Sequence, residues 1–181
     1  DDPDDDKDDE DEVDHALGEE EYLREEYLSS SSEESSSSEE EDEEDVSQLV
    51  RRNEDTLYFF CSVSLPSVTR LLLLAKEAKK DGFRELHLHI HSYGGDAFAG
   101  LVAYHHLRSM DVTTYADGMV ASAATFLLLA GEKRGAHKFA FVLIHQLSGG
   151  MFGKYRDLID EMNNTHDLMK VFVKLYRERT K

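Results

Sequence analysis

A break in composition near residue 50 sets the limits on what this chain can fold into. Of its 39 acidic and 20 basic residues, 25 acids and 2 bases fall in the first fifty positions, leaving net charges of −23 before the break and +4 after it. The early segment is mostly Asp, Glu and Ser with few branched or aromatic side chains, so it cannot bury enough apolar surface to offset the entropy of ordering. Residues 1–53 are therefore read as a disordered, solvated acidic tail, and residues 54–181 as one domain long enough for a real core. The run "SSSSEESSSSEEE" in the tail places acids three residues after serines, a weak pattern for an acid-directed kinase. No stretch approaches the roughly 20 apolar residues that span a bilayer. The acidic start also lacks the basic or acid-poor character of secretory and organellar signals. With one cysteine, Cys61, an internal disulfide is excluded, and these features together predict a soluble protein of the cytoplasm with no membrane association.

Beyond the break, the period of the apolar pattern alternates. "TLYFFC" (56–61) is a β-branched and aromatic run, followed after Pro66 by Val68, Leu71, Leu72, Ala75 and Ala78 at helical spacing. Asp81 and Gly82 end that helix, and "ELHLHIHS" sets Leu86, Leu88 and Ile90 against His87, His89 and His91 with the period of two that a strand requires. A second helix is predicted over about 97–110 and a third strand at "VTTYAD". A break at Asp117–Gly118 leads to a helix beginning near Ser122, and a fourth strand, "KFAFVLI", ends at His145. From Tyr155 to about Arg179 a long helix carries Leu158, Met162, Met169, Val173 and Tyr176 as an apolar stripe that needs a partner surface. Strands alternating with helices imply crossover units and an α/β layered fold with mostly parallel pairing.

In such sheets functional groups gather at the carboxyl ends of strands, and three of those ends carry "SYGG" (92–95), "DGMVAS" (117–122) and His145. A serine hydroxyl becomes a useful nucleophile when a base takes its proton, and histidine is the side chain suited to that near neutral pH. Ser122 and His145 supply the pair. A helix starting at Ser122 would add aligned amide dipoles, and the small Ala121, Ala123 and Ala124 would let a substrate backbone approach. The oxyanion of a tetrahedral intermediate needs preorganised donors, for which the N–H groups of Gly95 and Ala123 are the candidates. His87, His89 and His91 share one strand face, yet no second group of ligands completes a tetrahedral site, so no metal is expected.

"GGDAFAG", "DGMVASAATFLLLAGEKR" and "LIHQLSGG", in this order and spacing, resemble the Clp protease proteolytic subunit family over nearly all of 54–181. The resemblance implies a crotonase-like layered fold of βαβ units, with Ser122 as nucleophile, His145 as general base, and Gly95 and Ala123 as the oxyanion hole. It implies that an extended substrate pairs with Gly95 to Ala97 on one side and Ser148 to Gly150 on the other. It also implies that the Gly-rich excursion and the long helix form a projecting handle joining two stacked rings of seven subunits, fed with unfolded polypeptides by an ATP-driven unfoldase. No cofactor is called for, and no nucleic acid is an expected partner.

Departures from the family's pattern mark a diverged member. His-Ser-Tyr-Gly-Gly stands where the family's usual form is Asn-Ser-Pro-Gly-Gly, and His-Gln-Leu where it is His-Gln-Pro. The family's third triad residue, an aspartate, follows the handle helix, so the domain is expected to be truncated before it. Asp157, Asp160 and Asp167 lie on the handle helix at positions that do not match it. Three other readings stand beside the serine endopeptidase: a non-catalytic assembly subunit of the same fold, a crotonase-type acyl-CoA enzyme, and binding of basic proteins by the acidic tail.

Overall fold

The Leu-x-Leu-x-Ile alternation of residues 86–90 organises the domain. In a computed structural model of the chain, which describes residues 46–180, Leu86, Leu88 and Ile90 are fully buried while His87, His89 and His91 stay partly exposed on the opposite face. The strand holding them, β3 (Leu86–Ser92), is central to a six-stranded sheet. It pairs in parallel with β2 (Thr56–Phe59) on one side and β4 (Val112–Ala121) on the other. An antiparallel strand, β1 (Val50–Asn53), closes the β2 edge. The far edge of β4 is shared, with β5 (Lys133–Ala136) pairing its first half and β6 (Phe141–Leu143) its last three residues, both in parallel.

Helices cover the apolar face. The first, α1 (Leu65–Lys80), starts at a capping box in which the Ser64 side chain accepts from the Ser67 N–H and the Ser67 hydroxyl accepts from the Ser64 N–H, with Pro66 in the first turn. Its Val68, Leu71, Ala75 and Ala78 are fully buried against the sheet residues Leu57, Phe59 and Leu88. Each leucine so buried contributes about 1.5–3 kcal/mol. The second, α2 (Ala97–Arg108), is capped by Asp96, whose carboxylate accepts from Phe98 N–H (2.7 Å) and Ala99 N–H (3.2 Å). The third, α3 (Ala124–Ala130), is buried along its whole length.

The long helix predicted from Tyr155 is α4 (Tyr155–Arg179). Its first half stands in solvent, with Tyr155 81% and Met162 60% exposed, as a projecting handle would. Its second half docks by Phe172 and Leu175 onto Phe126 and Leu129 of α3, with the Phe126 and Phe172 ring centroids 5.0 Å apart. Burial thus centres one residue earlier than the expected stripe: Met169 and Tyr176 are half-buried against the same cluster, while Val173 is 40% exposed. The Arg179 guanidinium completes the docking by donating to the Leu129 (3.2 Å) and Gly131 (3.0 Å) carbonyls where α3 ends. A cation there complements the negative end of the helix.

Three sequence expectations are corrected and one strand is added. The acidic tail, expected over residues 1–53, lies outside the described residues as far as residue 45, as do the serines of its weak kinase pattern. Residues 50–53, however, form β1, and Val50 is fully buried, because β2 needs an edge partner. Asp117–Gly118 does not end a strand; β4 runs on to Ala121, held by pairing on both sides. The run "KFAFVLI" contributes only Phe141–Leu143, and β5 ("KRGA") was not expected at all. Among the described residues, no helix is long and apolar enough to cross a membrane.

Candidate active site

Pairing between β4 and β6 decides what stands beside Ser122. The register sets Ala121 opposite Leu143, and the Ser122 N–H donates to the Leu143 carbonyl at 2.9 Å. Two residues beyond Leu143, the segment after β6 reaches His145. Two positions 23 residues apart in sequence are therefore brought together by a three-residue ladder.

Ser122 itself does not open a helix as expected. It occupies the turn between β4 and α3, with φ at +53°, while α3 begins at Ala124. A residue with a Cβ seldom adopts that left-handed conformation, which costs of order 1–2 kcal/mol. The surroundings hold it there. The Ser122 carbonyl accepts from the Thr125 N–H (3.0 Å) and the Thr125 hydroxyl (2.5 Å), and Thr125 Oγ1 in turn contacts the Tyr176 hydroxyl of α4 at 2.5 Å. Burial pushes the Tyr176 phenol above its ordinary value, against the opposing pull of its hydrogen bond to Thr125. Ser122 Oγ makes no hydrogen bond among the described residues, so its lone pairs and proton are left to whatever enters the cleft.

The Gly94–Gly95 turn lies directly against this serine. Gly94 has φ +101°, and a Cβ placed there would come within 2.6 Å of Ser122 Cβ and 2.8 Å of the Ala121 carbonyl oxygen. Gly95 has φ +143°, and its Cβ would strike the Val63 carbonyl oxygen at 2.3 Å. Both glycines are demanded by close approach as well as by backbone sign. Val63 pins the turn from outside: its N–H donates to the Gly94 carbonyl and its carbonyl accepts from the Asp96 N–H, each at 2.8 Å. The Gly95 N–H lies between those two bonds and takes part in neither. Among the described residues no acceptor takes the N–H of Gly95 or of Ala123.

These groups line one cleft of about 310 Å³, walled by Gly95, Ala97, Ser122, Ala123, His145 and Ser148 and closed on its far side by α4. All predicted site residues except Gly150 meet there. Gly150 lines a neighbouring cleft that shares Ala97, Leu147 and Ser148 with the first. His145 is exposed, and its Nδ1 lies 2.6 Å from the Gln146 carbonyl oxygen. Since that oxygen can only accept, Nδ1 is the donor in this contact, and the neutral tautomer that fits it has its lone pair on Nε2. No hydrogen bond joins His145 to Ser122 among the described residues. None joins it to Asp157, Asp160 or Asp167 either, and Asp167 is engaged by Lys170 at 2.7 Å, which holds its carboxyl below the usual range.

Sequence reasoning missed Val63, Gly94 as the closest neighbour of Ser122, the Thr125–Tyr176 contact, and the wall formed by Phe126, Met169 and Phe172. The helical spacing of α4 announced an apolar face, but nothing local announced that this face would close a cleft.

The Clp protease family model matches residues 61–181. The ATP-dependent Clp protease proteolytic subunit 2 of Mycolicibacterium paratuberculosis is 38% identical over 115 residues, covering 61% of this chain and 56% of the relative. Subunit 3 of Streptomyces avermitilis is 43% identical over 93 residues (49% and 41%), and the proteolytic subunit of Oltmannsiellopsis viridis 33% over 114 (61% and 56%). The chain thus spans about half the length of the relatives it matches. With the family model covering everything from Cys61 through the handle helix, this chain belongs to the Clp protease family.

Proposed function

We propose that the chain is a serine-type endopeptidase subunit in which Ser122 is the nucleophile and His145 the general base. The observation that carries the reading is the meeting, in one cleft, of a serine held at φ +53° with two backbone N–H groups uncommitted among the described residues and an imidazole whose Nδ1 faces the Gln146 carbonyl. In the forward step Ser122 Oγ attacks the scissile carbonyl carbon while its proton passes to His145 Nε2. The oxyanion that forms is held by the N–H groups of Gly95 and Ala123, each worth about 3 kcal/mol by analogy with other oxyanion holes. The imidazolium then gives its proton to the departing amine, and a water, deprotonated by the same nitrogen, releases the acyl group. The Gln146 carbonyl, by accepting from Nδ1–H, supports the tautomer this cycle needs.

Substrates in this reading are unfolded polypeptides bound extended, with Gly95 to Ala97 and Ser148 to Gly150 as the flanking backbone segments. Recognition by added backbone pairing is indifferent to side chains, which suits a general degrader. The relatives are named as proteolytic subunits of an ATP-dependent protease. Those names support an ATP-driven partner, an unfoldase in this reading, which further takes the subunit to work in the cytoplasm within a chamber of stacked heptameric rings. The solvent-exposed Phe152, Tyr155 and Met162 of the handle region form an apolar surface of the kind subunit contacts cover.

Active-site labelling tests the proposal. A fluorophosphonate should modify the wild-type chain at Ser122, and Ser122→Ala should abolish both labelling and peptide turnover. Labelling undiminished in Ser122→Ala would remove Ser122 from the chemistry. No labelling of wild type would favour the non-catalytic assembly subunit, and turnover of coenzyme A thioesters without labelling the acyl-CoA reading.

A further inference from the structure

A second cluster of side chains lies on the opposite, polar face of the sheet and shares no residue with the cleft at Ser122. The β3–β4 register sets His89 opposite Tyr115, so that Asp117, two residues further along β4, projects from the same face. The β4–β5 register ends at Ala116 opposite Ala136, and the next residue, His137, donates its N–H to the Ala116 carbonyl at 2.9 Å. Three segments distant in sequence thus present His89, Asp117 and His137 to one point. His89 Nδ1 lies 2.8 and 3.0 Å from the two Asp117 oxygens, and His137 Nε2 lies 3.3 Å from Asp117 Oδ1. One ligand atom from each residue falls within 4.8 Å of the other two.

We propose that His89, Asp117 and His137 form a binding site for a divalent d-block cation of the Zn²⁺ type. Two imidazoles and a carboxylate are the donor set such ions prefer, whereas Mg²⁺ and Ca²⁺ require oxygen ligands. Tetrahedral ligands at about 2.0–2.1 Å from a zinc ion stand roughly 3.3 Å apart, so the observed separations need only small side-chain movements to close around it. The donors are held in advance. The His89 ring is stacked between Tyr58 (centroids 5.5 Å apart) and Tyr115 (4.7 Å), and the His137 backbone is tied to β4 by the hydrogen bond to Ala116. Among the described residues no lysine or arginine pairs with Asp117, whose side chain is 21% exposed and whose only ion-pair partners are these two histidines. A bound cation would supply the missing positive charge. His137 is 65% exposed, leaving the fourth position open to water. The ion would brace the β5 segment, which pairs with the sheet only through β4, against β3.

The test uses the full chain and Zn²⁺ or Co²⁺ alone. One Zn²⁺ should bind per chain with a rise in unfolding temperature, and Co²⁺ should give a ligand-field absorption band that saturates at the same ratio. His137→Ala changes an exposed side chain and so spares the fold; it and Asp117→Asn should each weaken binding about tenfold or more, since even outer-shell changes commonly cost that much. His87→Gln, beside the cluster but outside it, should bind as wild type. Uptake unchanged in His137→Ala, or no uptake by the wild-type chain, would overturn the assignment. Loss of binding in His87→Gln equal to that in His137→Ala would reduce it to general adsorption on surface histidines.

Discussion

Replacing Gly94 by alanine probes the contact on which the proposed catalytic geometry depends. The new Cβ would sit at φ +101°, where an L residue loses about 1–2 kcal/mol. It would also press on Ser122 Cβ at 2.6 Å and on the Ala121 carbonyl oxygen at 2.8 Å, well inside the 3.4 Å of an ordinary contact. Overpacking of that kind costs a further 1–3 kcal/mol or so, giving a loss of about 2–5 kcal/mol against a typical domain stability of roughly 5–15 kcal/mol. Relief requires Ser122 to move by most of an ångström, and a misplacement of about 1 Å can cost on the order of 10²-fold in rate. Gly82→Ala is the matched control, because Gly82 has a similar φ of +97° and nothing within 4 Å of the added carbon. Urea unfolding followed by circular dichroism and fluorophosphonate labelling followed by intact mass should separate the two. Gly82→Ala should lose only the 1–2 kcal/mol or so of dihedral strain with labelling unchanged, and Gly94→Ala should lose more and label about 100-fold more slowly. Equal behaviour of the two variants in both assays would refute the steric argument.

Two further outcomes are expected. Phe172→Ala should cost about 3–5 kcal/mol by emptying the contact with Phe126, and hydrogen exchange should then accelerate in the second half of α4 while α1 stays protected. Hydrogen bonds from Arg108 and then Arg179 hold the Glu132 carboxyl below the ordinary glutamate value of 4.5. A depressed folded-state value means the contribution is present above 4.5 and lost as pH falls through the lower value, so acid should loosen the Arg179 end of α4. Glu132→Gln should flatten that acid limb, by a small amount because the group is exposed. An unchanged acid limb in Glu132→Gln would remove Glu132 as its source.

The sequence by itself determined whatever depends on neighbours along the chain. Alternation at Leu86, Leu88 and Ile90 reports which face of β3 is dry, because successive strand residues point oppositely, and the same rule exposes the histidine row. The "GGDAFAG" run announces a turn that only glycine can make, followed by an aspartate cap on a helix. Ser122 was legible as a candidate because its motif stands in register with two others. Non-local pairing decided the rest. The edge strands β1 and β5 are four residues each, too short for periodicity to declare, and exist because β2 and β4 offer them hydrogen bonds. His145 reaches the neighbourhood of Ser122 only through the Ala121–Leu143 register, and α4 walls the cleft only because Phe172 and Leu175 find Phe126 and Leu129. The sequence also argued against a metal, since His87, His89 and His91 lack nearby ligands along the chain. Asp117 and His137 are 28 and 48 residues from His89, and it is the lateral order β3-β4-β5 that sets them side by side. A strand's period determines which way a side chain points; only the order and register of the strands determine what it meets.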